Sequence, residues 1–261
     1  MNAVKFTEQT ARENYMDLSH NSYPGRGIII GQNDGGTDMI QIYWIMGRSE
    51  GSRNRVFKTD GGRLYTEVAD PKKHTGDPKL VIYNAMRKIG FNFIVSNGHQ
   101  TDTIAEELDD FKVSARTQNL SNVLVKPTVE RPHGWIYEPD APNFTPRISG
   151  VCSIGAYHPL IQLAILRKSP WDKTCDVNCY EYRYIDKGFG YCITTYTGDG
   201  NPLPSFTGEP LLMPLQGHSV EIGETYWQTL NQKNRVALAV KAINKETGES
   251  TIKVWNKYQK V

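Results

Sequence analysis

A short segment rich in guanidinium groups, GRSEGSRNR at residues 47–55, follows directly after the apolar run IQIYWIM. Guanidinium groups form paired hydrogen bonds with phosphate and carboxylate oxygens, so arginines clustered on a loop that leaves a sheet can hold an anion. The candidate binding residues of this loop are Arg48, Arg53, Asn54 and Arg55. The alternative is a solvated loop in which Glu50 pairs with one arginine. The segment by itself leaves both alternatives open.

A second polar segment, VSNGHQTDTI at residues 95–104, joins the end of a strand pattern to the start of a helix pattern. The first N–H groups of a helix have no partner within the helix, so such a junction can receive an anion or a carbonyl oxygen. A glycine in the junction allows close backbone approach. The residues of this junction that could contact a ligand are Asn97, Gly98, Thr101 and Asp102. The alternative is ordinary capping of the helix by Thr101 or Thr103.

The segment FTPRISG places Arg147 where an apolar strand begins. Pro146 keeps the chain before it extended. The arginine can therefore meet solvent at the edge of a sheet or point back into a cleft, and the pattern fits both positions.

Tyr83 and Asn84 lie in the segment DPKLVIYNAMRKIG, for which we predict a helix over residues 78–89. Its apolar residues recur at helical spacing, at Ile82, Ala85, Met86 and Ile89. Pro78 suits the first turn of such a helix, and Gly90 suits the residue just past its end. A tyrosine on a helix is usually a core aromatic residue whose hydroxyl has a partner, so Tyr83 alone does not indicate a site.

The composition is that of a globular protein without a strong charge bias. The 261 residues include 30 Lys and Arg against 28 Asp and Glu, which gives a net charge of +2. A chain with so small a net charge has no general electrostatic attraction to nucleic acid or to an acidic membrane. No apolar run is long enough to span a bilayer, and the N-terminus lacks the apolar region of a signal peptide. We therefore expect a soluble cytoplasmic protein with no nucleic-acid or membrane partner.

The four cysteines give no sign of a metal site or of a disulfide framework. Cys152 and Cys192 lie in apolar strand patterns and are expected in the core. Cys175 and Cys179 form a single C-x3-C pair, whereas a structural zinc site needs four ligands. We predict no metal, and no disulfide in a reducing compartment.

Hairpin patterns dominate the chain. RGIIIG and MIQIYWIMG flank the turn residues QNDGGTD, the KETGES turn joins two strands near the C-terminus, and YEYRYIDKGFGYCITTYT resembles a third hairpin. Further strands are expected at RLYTEVA, FNFIVSNG and TPRISGVCSIG, and helices at HQTDTIAEELDDF and GETYWQTLNQKN. AYHPLIQLAILRKS is classed as a mixed segment and TGDGNPLPSFTGEPLLMPLQG as a long loop.

Many hairpins with few helices between them argue against a doubly wound parallel sheet. They favour an α+β fold in which helices cover antiparallel sheets. The chain shows no internal repeat, low-complexity linker or domain boundary. We predict a single domain over residues 23–261, preceded by a polar extension over residues 1–22.

Five stretches, taken together and in this order, resemble the archaeal-type IMP cyclohydrolase family. They are GRGIIIGQNDGG, GRSEGSRNR, IYNAMR, VSNGHQTDTI and FTPRISG. The pattern VSNG-x-x-TDTI is the most specific of them, and its occurrence together with YN-x-x-R and TPRI carries the resemblance. The matching region runs from about residue 23 to about residue 150.

The resemblance implies a four-layer α-β-β-α sandwich of two antiparallel sheets, like that of the N-terminal-nucleophile hydrolases. It implies closure of 5-formamidoimidazole-4-carboxamide ribonucleotide to inosine monophosphate and water, the last step of purine biosynthesis. It implies no metal or organic cofactor, and it implies a homo-oligomer. The chain has no Ser, Thr or Cys placed as a processed N-terminal nucleophile, so we expect no acyl-enzyme.

The resemblance also implies roles for the polar residues. Arg55 would hold the formyl oxygen and Tyr83 would relay a proton, with Arg53 as the alternative to Arg55 because the arginine loop is longer here than in the family pattern. The carboxamide or ribose would be bound by Asn84, Asn97, Thr101 and Asp102, with Asn54 and Gly98 beside them. The 5′-phosphate would be bound by Arg26, Arg48 or Arg147.

The chain departs from the family pattern in its longer arginine loop, its N-terminal extension and its loose match after residue 150. Two other functions therefore stay open. One is an amidohydrolase acting on a nucleotide-like substrate, which would need a nucleophile. The other is a purine-nucleotide-binding protein without catalysis. Three histidines that could line the site are expected at structural or surface positions, namely His99, His158 and His218.

Overall fold

The computed structural model describes residues 3–73, 81–109, 119–155 and 158–258. These residues form the strands β1 (Gly27–Gln32), β2 (Asp38–Met46), β3 (Arg55–Asp60), β4 (Arg63–Val68), β5 (Asn84–Ile89), β6 (Asn92–Ser96), β7 (Arg147–Ser153), β8 (Leu160–Lys168), β9 (Cys175–Tyr182), β10 (Phe189–Thr194), β11 (Leu211–Pro214), β12 (Arg235–Asn244) and β13 (Ser250–Asn256). The α-helices are α1 (Ala3–His20), α2 (Glu50–Arg53), α3 (Gln100–Asp109), α4 (Leu120–Val125) and α5 (Ser219–Thr229).

The strands form two antiparallel sheets that pack face to face. One has six strands in the order β11-β10-β1-β2-β12-β13, and the other has seven strands, β3 to β9, in chain order. On β1, Ile28 and Ile30 face the second sheet, whereas Ile29 faces away from it. Both faces are buried, which is why β1 and β2 are continuous apolar runs rather than alternating ones.

Helices cover the outer face of each sheet. On the six-stranded sheet, Leu18 of α1 and Tyr226 of α5 join an apolar cluster with Trp44. On the seven-stranded sheet, Ile104 of α3 and Leu124 of α4 belong to a corresponding cluster. Burial of these apolar faces is the main source of stability for such short helices. The predicted α+β class with two antiparallel sheets is confirmed.

The predicted helix over residues 78–89 is wrong. The segment Asn84–Ile89 forms β5, a central strand that pairs with β4 and β6, while Pro78 lies outside the described residues. A short apolar run fits helical and extended spacing alike, and the two neighbouring strands supply the hydrogen bonds and packing that decide between them. Gly90, with φ of 55°, belongs to the turn between β5 and β6.

The predicted hairpin over YEYRYIDKGFGYCITTYT is also wrong, because its two strands belong to different sheets. β9 pairs with β8, whereas β10 pairs with β1 and β11. The two strands approach each other across the sandwich, where the rings of Tyr182 and Tyr191 stack with centroids 3.6 Å apart. β9 is partly exposed and β10 is mostly buried, so the alternation of polar and aromatic residues identifies neither the exposure of each strand nor its partners.

Several segments without a predicted strand or helix contain one, among them the segments that form β3 and α4. The mixed segment AYHPLIQLAILRKS contains β8, the long Gly/Pro-rich loop contains β11, and the N-terminal extension contains α1. The hairpins β1–β2 and β12–β13, the strands β4, β6 and β7, and the helices α3 and α5 confirm the predictions. Because α3 begins at Gln100, Thr103 lies inside it and does not cap it.

Cys152 and Cys192 are buried, as predicted, and burial raises the pKa of the Cys152 thiol to about 12. All four cysteines are free thiols. Within the described ranges, no three His, Cys, Asp or Glu side chains are grouped so as to hold a metal ion. None of the helices in those ranges has the length and apolar character needed to cross a membrane.

Candidate active site

The predicted site residues gather at one edge of the two sheets. Because neighbouring strands are antiparallel, β3, β5 and β7 begin at the edge where β6 ends. This edge carries, at or next to the strand ends, Arg55, Tyr83, Asn97 and Arg147. Arg26, just before β1, reaches the same place from the other sheet, where it interacts electrostatically with Tyr83.

Arg55 is a buried arginine with free hydrogen-bond donors. It is 6% exposed, and its Nε and Nη1 atoms have no partner among the described residues. Burial lowers the pKa of the guanidinium and nearby Arg26 lowers it further, while Tyr83 and Glu138 oppose this effect. An arginine still keeps its charge, and unpaired buried donors cost free energy. Arg55 can therefore offer two donors to an oxygen atom of a ligand.

Tyr83 forms a phenol pair with Tyr43 of β2. The two hydroxyl oxygens are 2.7 Å apart, and both residues are buried. Burial raises the pKa of Tyr43 well above its ordinary value, and Tyr83 raises it further, whereas Arg26 and Arg55 act in the opposite direction. His99 lies beside the pair, with its ring edge-on to that of Tyr83. The site thus contains a hydrogen-bonded pair of phenols beside two guanidinium groups.

Arg26 and Glu138 supply further charge. Burial would lower the pKa of Arg26, but the Glu138 carboxylate and the phenols of Tyr83 and Tyr196 outweigh it, and the pKa is raised. The Nε atom of Arg26 is buried without a partner in the described part of the chain. Glu138 is buried as well and interacts electrostatically with Arg26 and Arg55. Three guanidinium groups, those of Arg26, Arg55 and Arg147, lie near two carboxylates, those of Glu138 and Asp140, and this excess of positive charge suits an anionic ligand.

Arg147 is engaged with the protein itself. Its Nε donates to the Ile136 carbonyl at 2.9 Å, and its Nη1 donates to Gln100 Oε1 at 3.1 Å and lies 3.7 Å from Glu138 Oε1. Burial lowers the pKa of this guanidinium, and Glu138 opposes the change. Gly98 leaves room for it, because a Cβ atom there would lie 2.6 Å from Arg147 Nη1. Arg147 thus ties the β6–α3 junction to the loop that carries Glu138.

Asn84 and Asp102 contact each other rather than an open pocket. Asn84 Nδ2 donates to Asp102 Oδ1 at 2.9 Å, and Arg87 Nη1 donates to the same oxygen at 2.9 Å. These bonds join β5 to the first turn of α3. Asp102 therefore fixes the position of the strand that follows Tyr83.

Asn97 and Thr101 are also satisfied locally. Asn97 Nδ2 donates to the Pro146 carbonyl, and its Oδ1 accepts from Gln100 Nε2 and from the Ile148 N–H, all at 2.9 Å. The Thr101 hydroxyl donates to the Gly98 carbonyl at 2.9 Å. The predicted capping by Thr101 or Thr103 is wrong, because both residues lie inside α3 and the Thr101 hydroxyl donates to a carbonyl instead of accepting from a helix N–H.

The arginine loop separates into different roles. Arg48 is half-exposed, forms an ion pair with Asp199 and donates to the Gly200 carbonyl. Arg53 donates to the Gly47 carbonyl and to Asn234 Oδ1 at 3.0 and 3.3 Å. Asn54 exchanges hydrogen bonds with the backbone of Asp70. Of the four polar residues predicted in this loop, Arg55 is the one with buried unpartnered donors.

Three residues of the site were not predicted from the sequence, namely Tyr43, Glu138 and Tyr196. Tyr43 is hidden within an apolar strand run, where the polar hydroxyl is the only signal that a partner is needed. Glu138 lies in a long loop without periodicity, and Tyr196, which hydrogen-bonds Thr145 at 2.6 Å, follows β10. Their proximity to Arg26 depends on how the two sheets pack, which sequence spacing does not give.

Comparison with known proteins shows the family to which the chain belongs. The family model that describes IMP cyclohydrolase-like proteins matches residues 23–248, and so extends well beyond the motifs that end near residue 150. A curated relative, the IMP cyclohydrolase of Haloquadratum walsbyi (strain DSM 16790 / HBSQ001), is 29% identical over 160 residues. That alignment covers 61% of this chain and 71% of the relative. The chain therefore belongs to the IMP cyclohydrolase-like protein family.

Proposed function

We propose that this protein is an IMP cyclohydrolase that closes 5-formamidoimidazole-4-carboxamide ribonucleotide to inosine monophosphate and water. Family membership supports the proposal. The structural observation that carries it is the pair of buried, unpartnered donors on Arg55 beside the hydrogen-bonded phenols of Tyr83 and Tyr43. Such groups suit a reaction that develops negative charge on an oxygen and moves protons.

The reaction needs no nucleophile from the protein. The carboxamide nitrogen of the substrate attacks its own formyl carbon, so a C–N bond forms while the formyl C=O double bond becomes a single bond to oxygen. That oxygen leaves as water with one hydrogen from the carboxamide nitrogen and one from the formamide nitrogen. The protein has to bring the two groups together, stabilise the oxyanion and move the protons.

Arg55 and Tyr83 are the proposed catalytic residues. The free Nε and Nη1 atoms of Arg55 would donate to the formyl oxygen as it gains charge, an effect worth about 3 kcal/mol for a preorganised donor. Tyr83 would pass a proton to the departing oxygen. Arg53 is the weaker alternative to Arg55, because its donors already bind Gly47 and Asn234.

Arg26 is the proposed ligand of the 5′-phosphate. Of the three arginines predicted for this role, Arg48 is paired with Asp199, and Arg147 donates to Ile136 and Gln100. Arg26 has a buried Nε without a partner among the residues described. Guanidinium groups bind phosphate oxygens through such donors.

The remaining predicted binding residues line or support the same edge of the sheets. Their hydrogen bonds within the protein indicate that they hold the site in place, and contact with the carboxamide or ribose stays a prediction for each of them. They are Asn54, Asn84, Asn97, Gly98, Thr101 and Asp102.

The proposal extends to the fold, the domain boundaries, the oligomeric state and the cellular location of the protein. Two face-to-face antiparallel sheets with helices on their outer faces support a four-layer fold like that of the N-terminal-nucleophile hydrolases. We also propose a single domain over residues 23–261 with an N-terminal extension over 1–22, a homo-oligomeric state and a cytoplasmic location.

Turnover of the formylated ribonucleotide, followed by ultraviolet absorbance, tests the function directly. We expect the wild-type protein to form inosine monophosphate, and Arg55→Ala to reduce kcat by about 100- to 1,000-fold through loss of the oxyanion donors. Arg63→Ala is a matched control, because Arg63 is an exposed arginine paired with Asp60 at the far end of β4. We expect the control to keep kcat within about twofold.

One result would contradict the proposed function, and another would contradict the proposed role of Arg55. Absence of turnover by the wild-type protein, together with tight binding of inosine monophosphate, would indicate a nucleotide-binding protein without this activity. Full activity of Arg55→Ala would remove Arg55 from the mechanism and return attention to Arg53.

A further inference from the structure

The hydrogen bond between Tyr43 and Tyr83 joins the two sheets at the candidate active site. Tyr43 lies on β2 of the six-stranded sheet, and Tyr83 precedes β5 of the seven-stranded sheet. Their hydroxyl oxygens are 2.7 Å apart. Tyr43 is 0% exposed, and its ring packs on Phe57 with centroids 5.5 Å apart. The packing of the ring on Phe57 and the hydrogen bond to Tyr83 therefore fix the position of the Tyr43 hydroxyl.

Two arginines near this pair favour negative charge on Tyr43, whereas burial opposes it. Arg26, from the segment before β1, and Arg55, from the start of β3, both interact electrostatically with Tyr43. Glu138, from the loop before β7, interacts with both arginines. Burial raises the pKa of Tyr43 well above its ordinary value, so this phenol keeps its own proton at neutral pH.

We propose that Tyr43 is a positioning residue that donates its hydroxyl hydrogen to the Tyr83 oxygen and thereby directs the Tyr83 hydrogen toward the substrate. The inference rests on the proposed function. A phenol has one hydrogen to donate. If Tyr43 supplies the hydrogen between the two oxygens, the hydrogen of Tyr83 is free to point elsewhere.

The hydrogen bond from Tyr43 to Tyr83 also acts while Tyr83 transfers its proton. Tyr83 passes its proton to the formyl oxygen and takes a proton back from the carboxamide nitrogen. That oxygen leaves as water with a second hydrogen, which the formamide nitrogen of the substrate gives up as its double bond to the former formyl carbon forms. In the interval Tyr83 is a phenolate that accepts the hydrogen bond from Tyr43. Bonds to charged acceptors are stronger than neutral ones, so this contact favours the phenolate over the phenol. Tyr43 keeps its own proton throughout and does not touch the substrate.

Tyr43→Phe tests the inference, because it removes the hydroxyl and leaves the ring that packs on Phe57. We expect kcat to fall about 10- to 100-fold, the worth of a hydrogen bond to a charged group, while KM changes little. We also expect the limb of the pH–rate profile that reports the phenol pair to move to higher pH. In a Tyr83→Phe background, Tyr43→Phe should lower kcat no further, since it acts through Tyr83.

Tyr226→Phe is the matched control. Tyr226 is a buried tyrosine whose hydroxyl donates to the Pro214 carbonyl at 2.8 Å on the outer, helix-covered face of the six-stranded sheet, away from the candidate active site. We expect it to cost stability in thermal unfolding as Tyr43→Phe does, with no change in kcat or in the pH–rate profile.

The outcomes separate this inference from the proposed function. Absence of turnover by the wild-type protein overturns both. An active wild-type protein overturns the inference alone if Tyr43→Phe keeps full kcat and an unshifted profile, or if the two substitutions multiply in the double variant. In the last case Tyr43 would act on the substrate independently of Tyr83.

Discussion

Arg53 and Arg55 are two residues apart in the chain and differ in what their guanidinium groups contact. Arg53 donates to Gly47 and Asn234 and thus holds the loop together. Arg55 begins β3, is buried, and leaves Nε and Nη1 without partners among the described residues. Buried donors are nearly always paired, so a free pair in a charged site points to a ligand. Hydrogen bonding therefore separates a candidate binding residue, Arg55, from a supporting residue, Arg53, within a single loop.

Tyr83→Phe tests the proton relay at the residue scale. The substitution keeps the ring and removes the hydroxyl that lies 2.7 Å from that of Tyr43. We expect kcat to fall about 100-fold or more, the usual contribution of a positioned acid or base. Affinity for inosine monophosphate, measured by calorimetric titration, should change only a few-fold, because Arg26 and Arg55 remain. Unchanged turnover would remove Tyr83 from the mechanism.

The sequence motifs single out Arg55 and Tyr83 as catalytic candidates, because both lie in stretches that carry the family resemblance, and their catalytic role stays a prediction. The motifs were not sufficient to separate ligand contacts from support. Asn97 and Asp102 look like binding residues in the sequence, yet their side chains bond to Pro146, Gln100, Asn84 and Arg87. A motif preserves residues that build a site as well as residues that use it, and only the hydrogen bonds tell the two apart.

At the scale of elements, the inward face of β12 carries an unusual charge. Lys241 is 0% exposed between the two sheets, and its Nζ donates to the Gly62 carbonyl at 3.0 Å. Burial lowers the pKa of Lys241 to about 8, and nearby Lys88 adds to this effect. Opposite it on β2, Gln41 has an unpartnered Oε1. This polar pair interrupts the apolar core at a cost in stability.

Lys241→Met should stabilise the protein in a pH-dependent way. The folded-state pKa of about 8 lies below the ordinary value of 10.5, so between these pH values the unfolded chain binds more protons and wild-type stability rises with pH. We expect the variant to gain roughly 1–3 kcal/mol in the free energy of unfolding below pH 8, and the gain to shrink toward pH 10.5. Urea unfolding of both proteins across this pH range measures the difference.

Lys253→Met on the adjacent strand β13 is the control for this prediction. Lys253 is exposed, so the same change of side chain there should leave stability within about 0.5 kcal/mol at every pH. A gain for Lys241→Met that does not vary with pH would show that the effect comes from packing rather than from the charge.

Elements with local signals were predictable, and elements defined by distant partners were not. The β1–β2 and β12–β13 hairpins have their turn residues in the sequence. β5 was mistaken for a helix because β4 and β6 decide its conformation, and β8 was missed because it is buried on both faces and does not alternate. Likewise β9 and β10 are neighbours in sequence but separate in space. Which strands pair depends on the whole fold, whereas the spacing of apolar residues in a segment describes that one segment alone.

At the scale of the whole molecule, the candidate site depends on both sheets, whereas α1 contributes to one outer face. The family match begins at residue 23, after α1 ends at His20. α1 contacts β11 and α5, with Asn14 Nδ2 donating to the Leu212 carbonyl at 2.9 Å and Tyr15 bonded to Thr229 at 2.5 Å. The site residues lie at the ends of strands beneath this layer. We therefore expect the extension to stabilise the six-stranded sheet rather than to take part in catalysis.

Leu18→Ala tests this separation of stability from catalysis. Leu18 is 7% exposed and packs in the cluster between α1 and the six-stranded sheet. We expect the substitution to lower the free energy of unfolding by about 2–3 kcal/mol, the cost of a cavity in a core. Because no atom of α1 hydrogen-bonds Arg55 or Tyr83 in the described structure, kcat should stay within about twofold. Urea unfolding and the turnover assay measure the two quantities on the same samples.

Met16→Ala on the same helix is the matched control, because Met16 is 45% exposed and its loss should change stability by less than about 0.5 kcal/mol. A tenfold loss of kcat in Leu18→Ala at a temperature where the variant is fully folded would contradict the separation. It would mean that α1 sets the position of Arg26 through Tyr23 and Tyr196, whose rings stack between the helix and the site with centroids 6.0 Å apart. In that case the extension would belong to the catalytic unit, and the site would be formed by three layers of the fold rather than two.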